Sequence, residues 1–133
     1  MFSIGLLNAR SIRKKGQDIY NLILAHEIDL MVLTETWLCS DNTEDFYLKQ
    51  CYGNQDNWQY LSFPRDYSTG GGIAVIFRSV FSFKLLSFSC SRTAEISVLH
   101  GRIRNETFLM VVVYRPPGPL FEEFFSCITD ILT

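Results

Sequence analysis

The first 36 residues alternate two short apolar runs with one amphipathic segment, and no other feature constrains the fold as strongly. Residues 2–7 are a short apolar run typical of a strand, and a second strand is predicted at residues 30–36, which begin with the apolar run 30–33 and end in Thr-Glu-Thr. The segment between them repeats its apolar side chains with helical spacing, and Ser11 stands where it can cap a helix that begins at Ile12. A strand, a helix and a strand at this spacing predict a βαβ unit, in which the two strands are parallel.

Polar side chains stand at the carboxyl ends of three predicted strands. Asn8 follows the first strand, Glu35 follows the second, and Tyr114 with Arg115 ends an apolar run that begins at Thr107. If these strands are parallel in one sheet, their ends share the edge where ligands bind in open α/β sheets. We therefore predict a metal- and phosphate-binding site at this edge. The run at residues 107–114 is expected at the centre of the sheet, buried on both faces.

Each of these residues also has a purely structural interpretation. Glu35 can be a surface carboxylate at the end of a strand. Asn8 can form an Asx turn before the helix. Tyr114 can pack its ring in the core and leave its hydroxyl in water. Spacing alone leaves both interpretations open for all three residues.

The rest of the chain predicts mainly strands and turns. Gly70, Gly71 and Gly72 precede a strand, and no Gly-Lys-Ser/Thr follows them, so this is not a P-loop. We expect a flexible turn there, or a close approach of backbone to a ligand. The other predicted elements are one helical turn at 44–49, strands at 58–63, 73–78, 81–88 and 95–103, of which the last two are antiparallel, and an amphipathic helix at 120–132.

Composition excludes several classes of protein. A net charge of −2 and a pI near 5.6 lack the basic footprint of a stand-alone nucleic-acid binder. The four cysteines lie far apart without a Cys-x-x-Cys pair, which argues against a structural zinc site. The sequence has no signal-peptide pattern, and no apolar run reaches the roughly 18 residues of a membrane span. We expect an intracellular protein that does not contact membranes.

Four blocks of the sequence, in this order, resemble a known family. They are residues 7–11 (Leu-Asn-Ala-Arg-Ser), residues 29–38 with Thr-Glu-Thr-Trp-Leu, residues 70–75 with three glycines, and residues 112–117 with Tyr-Arg-Pro-Pro. Together they resemble the first half of the endonuclease domain of non-LTR (LINE-type) retrotransposons. That domain belongs to the endonuclease/exonuclease/phosphatase superfamily.

The resemblance implies a fold and three site residues. The fold would be a partial four-layer α/β sandwich of the DNase I type, a mixed sheet with flanking helices whose second half is missing. Asn8 matches the amino-terminal active-site Asn of the family, and Glu35 matches its metal-binding Glu. Tyr114 matches the Tyr that contacts the scissile phosphate. The implied metal is Mg²⁺, with Mn²⁺ as the alternative ion.

The resemblance also implies an activity and partners. The activity is metal-dependent hydrolysis of a phosphodiester that nicks target DNA. DNA is the expected partner, a reverse transcriptase domain is expected downstream, and the expected location is the nucleus. Two alternatives stay open. One is a phosphatase or phosphodiesterase of the same superfamily that acts on lipid or nucleotide phosphates, and the other is a catalytically dead remnant or binding module.

The sequence departs from the family in its missing blocks. Neither a Gly-Asp-Phe-Asn-like block nor a Ser-Asp-His-like block occurs in residues 1–133. We therefore expect this chain to be the amino-terminal part of the domain, a fragment with half an active site that is nearly inactive alone. We also expect poor solubility, because the face that a second half would cover is apolar.

Overall fold

The computed structural model describes residues 1–41, 43–65, 70–91, 93–117 and 129–130. The predicted helix at residues 120–132 lies outside this part of the chain, apart from residues 129 and 130, which are helical. The elements are β1 (Ile4–Asn8), α1 (Gly16–Ala25), β2 (Leu30–Thr34), α2 (Glu44–Gln50), β3 (Trp58–Phe63), β4 (Ile73–Arg78), β5 (Ser82–Cys90), β6 (Glu95–Ile103) and β7 (Glu106–Tyr114).

The first sheet has the strand order β1-β2-β4-β3. β1 is parallel to β2, so the predicted βαβ unit is confirmed, and β4 is antiparallel to both of its neighbours. Helices α1 and α2 cover one face of this sheet. That core contains Ile19 and Ile23 of α1, Leu48 of α2, Leu33 of β2 and Ile76 of β4. Because β2 and β4 are buried on both faces, their sequences are continuously apolar instead of alternating.

The second sheet has the order β5-β6-β7 and is antiparallel throughout, as predicted for its first two strands. Its inner face packs on the side of the first sheet that the helices leave free. Val32 and Phe77 of the first sheet meet Phe83, Leu99 and Val112 of the second in this core. The layers are therefore helix, sheet and sheet, and the predicted partial α/β sandwich is confirmed.

The prediction for β7 is wrong in two respects. β7 belongs to the second sheet, not to the sheet of β1 and β2, and it is an edge strand of the described part. The reason is the short turn at Arg104 and Asn105, which makes β7 the antiparallel neighbour of β6. Its sequence is apolar on both sides because Val112 faces the inter-sheet core while Val111 packs against Ile96 and Val98 on the outer face.

The predicted start of the first helix is also wrong. Helix α1 begins at Gly16, and its amino-terminal cap, Lys15, makes no side-chain capping bond. Instead, the Ser11 amide donates to the Glu35 carbonyl at 2.8 Å, and the Ile12 amide donates to the Thr36 carbonyl at 3.2 Å. Parallel pairing thus continues beyond β1 and delays the helix. In the described part of the chain, no helix has the length and apolar character needed to cross a membrane.

Candidate active site

Asn8 and Glu35 lie at the same end of the first sheet, as predicted. Asn8 is in register with Thr34, the residue directly before Glu35. The amide of Ala9 donates to the Thr34 carbonyl at 2.8 Å, which keeps the two strand ends paired. The Asn8 side chain is exposed. This arrangement follows from the parallel βαβ geometry, which places the carboxyl ends of its two strands side by side.

Glu35 has an unusual backbone conformation. Its φ of 53° lies in the left-handed region, which costs an L-residue about 1 kcal/mol or more. Thr34 and Thr36 on either side are buried, while Glu35 itself is half-buried. Such strain persists only where the surrounding structure fixes it, and it is found preferentially at functional sites.

The glycine loop, residues 70–72, helps to hold the Glu35 backbone in this conformation. The Gly72 carbonyl accepts a hydrogen bond from the Thr36 amide at 3.2 Å, and the Gly71 carbonyl accepts one from the Trp37 amide at 2.8 Å. Gly72 has a φ of 94°, and a β-carbon there would collide with Thr36 Oγ1. The sequence indicated a turn with a possible close backbone approach. The close approach is to the segment that carries Glu35.

Tyr114 reaches Glu35 from the second sheet. Its pKa is raised to about 12, first by burial and then by the negative charge of Glu35. The prediction of a single sheet edge is therefore wrong for Tyr114, because β7 belongs to the opposite sheet. Glu35 and Tyr114 nevertheless meet, since the two sheets pack face to face at this point. Arg115, the next residue, is exposed.

Arg65 and Glu95 form a buried ion pair near these residues. Glu95, at the start of β6, is fully buried and pairs with Arg65, whose Nη2 lies 2.7 Å and whose Nε lies 3.2 Å from Glu95 Oε2. The other carboxylate oxygen, Oε1, accepts a hydrogen bond from the Gly72 amide at 2.7 Å. Sequence reasoning missed this pair. One signal was available, because Glu95 shares its side of the strand with the core residue Leu99.

The oxygens at the sheet end suit a hard cation. The Glu35 carboxylate and the Asn8 amide are oxygen donors of the kind that Mg²⁺ accepts, and Mg²⁺ commonly binds one or two carboxylates while it keeps several waters. Within the described residues, no group of three or more His, Cys, Asp or Glu side chains is placed to hold a metal ion.

Neither a known protein family nor a curated protein matches this chain by sequence. Solved structures match it by shape. TDP2 from D. rerio, complexed with a single-strand DNA product, has 10% identity and a TM-score of 0.64, over 98% of this chain and 52% of that chain. The AP endonuclease LMAP from Leishmania major has 13% identity and a TM-score of 0.61, over 85% of this chain and 40% of that chain.

A third match is the 3′ phosphatase NExo from Neisseria, bound to a product DNA hairpin. It has 20% identity and a TM-score of 0.52, over 82% of this chain and 40% of that chain. At these identities the likeness shows the fold alone, which is DNase I-like. The chain spans about half the length, or less, of each of these solved structures.

Proposed function

We propose that this chain is the amino-terminal part of a metal-dependent nuclease domain that hydrolyses phosphodiesters in DNA. The observation that supports this most is the meeting of Glu35 and Tyr114. Glu35 stands at the end of a buried strand, and its charge acts on a buried tyrosine of the opposite sheet. A carboxylate with a purely structural role at a strand end needs no buried phenol beside it.

In this proposal each side chain has a distinct role. Glu35 would bind Mg²⁺ or Mn²⁺, with Asn8 beside it to orient the bound phosphate or a ligand of the metal. Tyr114 would donate its hydroxyl proton in a hydrogen bond to a phosphate oxygen, because the phenol is in its protonated, donating form at neutral pH. The metal would neutralise charge on the phosphate and on the leaving oxygen.

The finer proposal concerns the biological source of the domain. The Thr-Glu-Thr-Trp-Leu block at residues 34–38 and the Tyr-Arg-Pro-Pro block at residues 114–117 support an endonuclease of a non-LTR retrotransposon. Such a protein nicks target DNA in the nucleus and continues into a reverse transcriptase domain. DNA is then the substrate and the partner.

The proposal includes low activity for residues 1–133 alone. The sequence has no Gly-Asp-Phe-Asn-like or Ser-Asp-His-like block, so the Asp that activates water and the His that stabilises the transition state in the family have no counterpart here. Members of such a constellation act as a unit, and the loss of one typically lowers the rate by orders of magnitude. Binding of metal and phosphodiester is therefore the sharper test.

The test is an NMR titration of the ¹⁵N-labelled chain with a short single-stranded oligonucleotide, with and without Mg²⁺. We expect Mg²⁺-dependent shifts at Asn8, Glu35 and Tyr114, and their loss in Glu35→Gln. Glu44→Gln is the matched control, because Glu44 lies on α2 and accepts a hydrogen bond from Ser62 instead. Supercoiled-plasmid nicking in the same samples would measure any residual activity.

The alternatives give different results in this titration. If inositol phosphates or nucleotide phosphates bind more tightly than the oligonucleotide at the same residues, the domain is a phosphatase or phosphodiesterase of another branch. If nucleic acid binds without Mg²⁺ and regardless of Glu35→Gln, the chain is a binding module. If no phosphate compound binds, the nuclease proposal fails and a dead remnant is left.

A further inference from the structure

We propose that Glu95 is a positioning residue for Glu35 and acts through the glycine loop. The inference rests on the proposed function, since it assigns to Glu95 the task of holding the proposed metal ligand. Glu95 itself is fully buried and touches neither metal nor substrate in this account. Its effect passes through Gly72 to the backbone on the carboxyl side of Glu35.

Glu95 is hydrogen-bonded to the glycine loop. One carboxylate oxygen accepts the Gly72 amide at 2.7 Å, and the other is held by the Arg65 guanidinium. A hydrogen bond to a buried, charged acceptor is about twice as strong as one between neutral groups. Because Arg65 balances the charge and directs the second oxygen away, the first oxygen is fixed toward Gly72.

The glycine loop is in turn hydrogen-bonded to the two residues that follow Glu35. Gly72 and Gly71 accept the amides of Thr36 and Trp37, the two residues that follow Glu35. On the amino-terminal side, Thr34 is fixed by strand pairing. On the carboxyl side, the Glu35 carbonyl also accepts the Ser11 amide, and the Thr36 carbonyl accepts the Ile12 amide. Both ends of the left-handed residue are therefore held by hydrogen bonds. Of the bonds on the carboxyl side, the two donated by the Thr36 and Trp37 amides depend on the loop that Glu95 holds.

The glycine loop is packed closely against Arg65 and Thr36. A β-carbon on Gly71 would collide with the Arg65 guanidinium, and one on Gly72 would collide with Thr36 Oγ1. The Thr36 hydroxyl is itself buried and has no hydrogen-bond partner among the described residues. The position of Thr36 therefore depends on packing and on two backbone bonds, one from its amide to the loop and one from the Ile12 amide to its carbonyl.

A purely structural role for the ion pair makes a different prediction. If Arg65 and Glu95 only stabilise the packing of β6, their joint replacement by neutral side chains of similar size should leave the metal site unchanged. If Glu95 acts through its bond to Gly72, the loss of the hydrogen-bond acceptor at position 95 should weaken metal binding at Glu35 even where the fold is kept.

Two double variants separate these cases. Arg65→Met with Glu95→Gln removes both charges and keeps a side-chain oxygen that can accept the Gly72 amide. Arg65→Met with Glu95→Met removes both charges and the acceptor. Replacement of both partners avoids an unpaired buried charge, which would destabilise the fold strongly. The two variants therefore differ in the acceptor for Gly72 and in little else.

The probe is Mn²⁺, titrated into each ¹⁵N-labelled chain while paramagnetic broadening of the amide signals of residues 34–37 is followed. We expect the Gln variant to bind Mn²⁺ nearly as the wild type does. We expect the Met variant to bind about tenfold more weakly, the loss seen when a supporting partner of a metal ligand is removed. Hydrogen exchange at the amides of Thr36 and Trp37 should be faster in the Met variant alone.

Equal Mn²⁺ affinity in the two folded variants would overturn the inference. If the Met variant does not fold by circular dichroism, Glu95→Asp replaces it, because the shorter side chain cannot reach Arg65 and Gly72 together. Unchanged binding in Glu95→Asp would also overturn the inference. Failure of the proposed function looks different, since Mn²⁺ broadening at residues 34–37 would then survive Glu35→Gln.

Discussion

The two interior strands of the first sheet, β2 and β4, differ sharply in burial from two of the edge strands, β1 and β7. Every residue of β2 is buried, and so are the first five residues of β4. In contrast, β1 exposes Leu6 to 73% and β7 exposes Leu109 to 63%, and both strands are edges in the described part of the chain. The interior strands are buried on both faces, whereas these two edge strands present apolar side chains to solvent.

The candidate site spans both kinds of strand. Glu35 follows the buried strand β2, while Asn8 and Tyr114 stand on the edge strands β1 and β7. The residue proposed to bind metal is therefore fixed by the interior. Asn8 and Tyr114, which are proposed to assist it, lie on edge strands, where further strands could pair with the sheets. The solved structures of this fold are indeed longer than this chain.

The largest effect is expected from a deletion in the interior. Phe77 of β4 is 2% exposed and packs against Phe83 of the second sheet. Phe77→Ala should lower the free energy of unfolding by about 3–5 kcal/mol, because a large cavity is left between the sheets. Leu6→Ala on the edge should change it by less than about 0.5 kcal/mol. Urea unfolding measures both, and equal costs would contradict the division into interior and edge.

The second expected effect compares two ion pairs. Arg65→Met leaves Glu95 buried without its partner and should cost about 3 kcal/mol or more. Arg78→Met removes a more exposed pair with Asp29 and a contact over the Trp58 ring, and should cost about 1–2 kcal/mol. Urea unfolding at neutral pH gives both values. A smaller cost for Arg65→Met than for Arg78→Met would show that the site is not held by its buried pair.

The third effect is a pH dependence at Tyr114. Its pKa is about 12 in the folded protein and near 10 in the unfolded chain. The unfolded state therefore loses the proton first, and the stability contributed by the neutral phenol is present below pH 10 and is lost as the pH rises toward 12. The wild type should lose about 1 kcal/mol per pH unit more than Tyr114→Phe in this window.

Urea unfolding of both proteins between pH 9 and pH 11 measures this difference. The Tyr114→Phe variant is needed as the reference because the pKa of Tyr60 is also raised, by burial and by its hydrogen bond to Asp45. Identical slopes for the two proteins would mean that Tyr114 is not buried against Glu35.

The smallest effect concerns the open edge of β1. We expect the chain to self-associate through its exposed edges, and Leu6→Lys should weaken that association by about 1 kcal/mol, or roughly fivefold in the dissociation constant. Leu24→Lys on α1 is the control, because Leu24 is exposed on a helix with no free strand edge. Sedimentation velocity distinguishes them, and an equal effect of both lysines would contradict edge pairing.

Local patterns were sufficient for the elements and for part of the site. The βαβ unit and the β5–β6 pair follow from apolar spacing, and the parallel geometry places Asn8 beside Glu35 without further information. The sheet that contains β7 was not predictable from its own sequence, because an apolar run looks alike whether it is central or covered from outside.

The remaining errors come from long-range bonds. The late start of α1 depends on the pairing of Ser11 and Ile12 with the chain after β2, and the role of Glu95 depends on Arg65, which lies 30 residues earlier. The positions of polar residues at strand ends predicted that Glu35 and Tyr114 lie near each other, but through a shared sheet edge, whereas the packing of two sheets brings them near each other.

The most direct test of a shared metal and phosphate site is a map of Mn²⁺ broadening over the whole ¹⁵N-labelled wild-type chain. We expect the amide signals of Asn8, Glu35 and Tyr114 to broaden at the same Mn²⁺ concentration. All three signals should stay sharp in Glu35→Gln. Broadening that centres on the acidic residues near the start of α2, such as Asp41 and Asp45, and leaves Tyr114 untouched would contradict a shared metal and phosphate site.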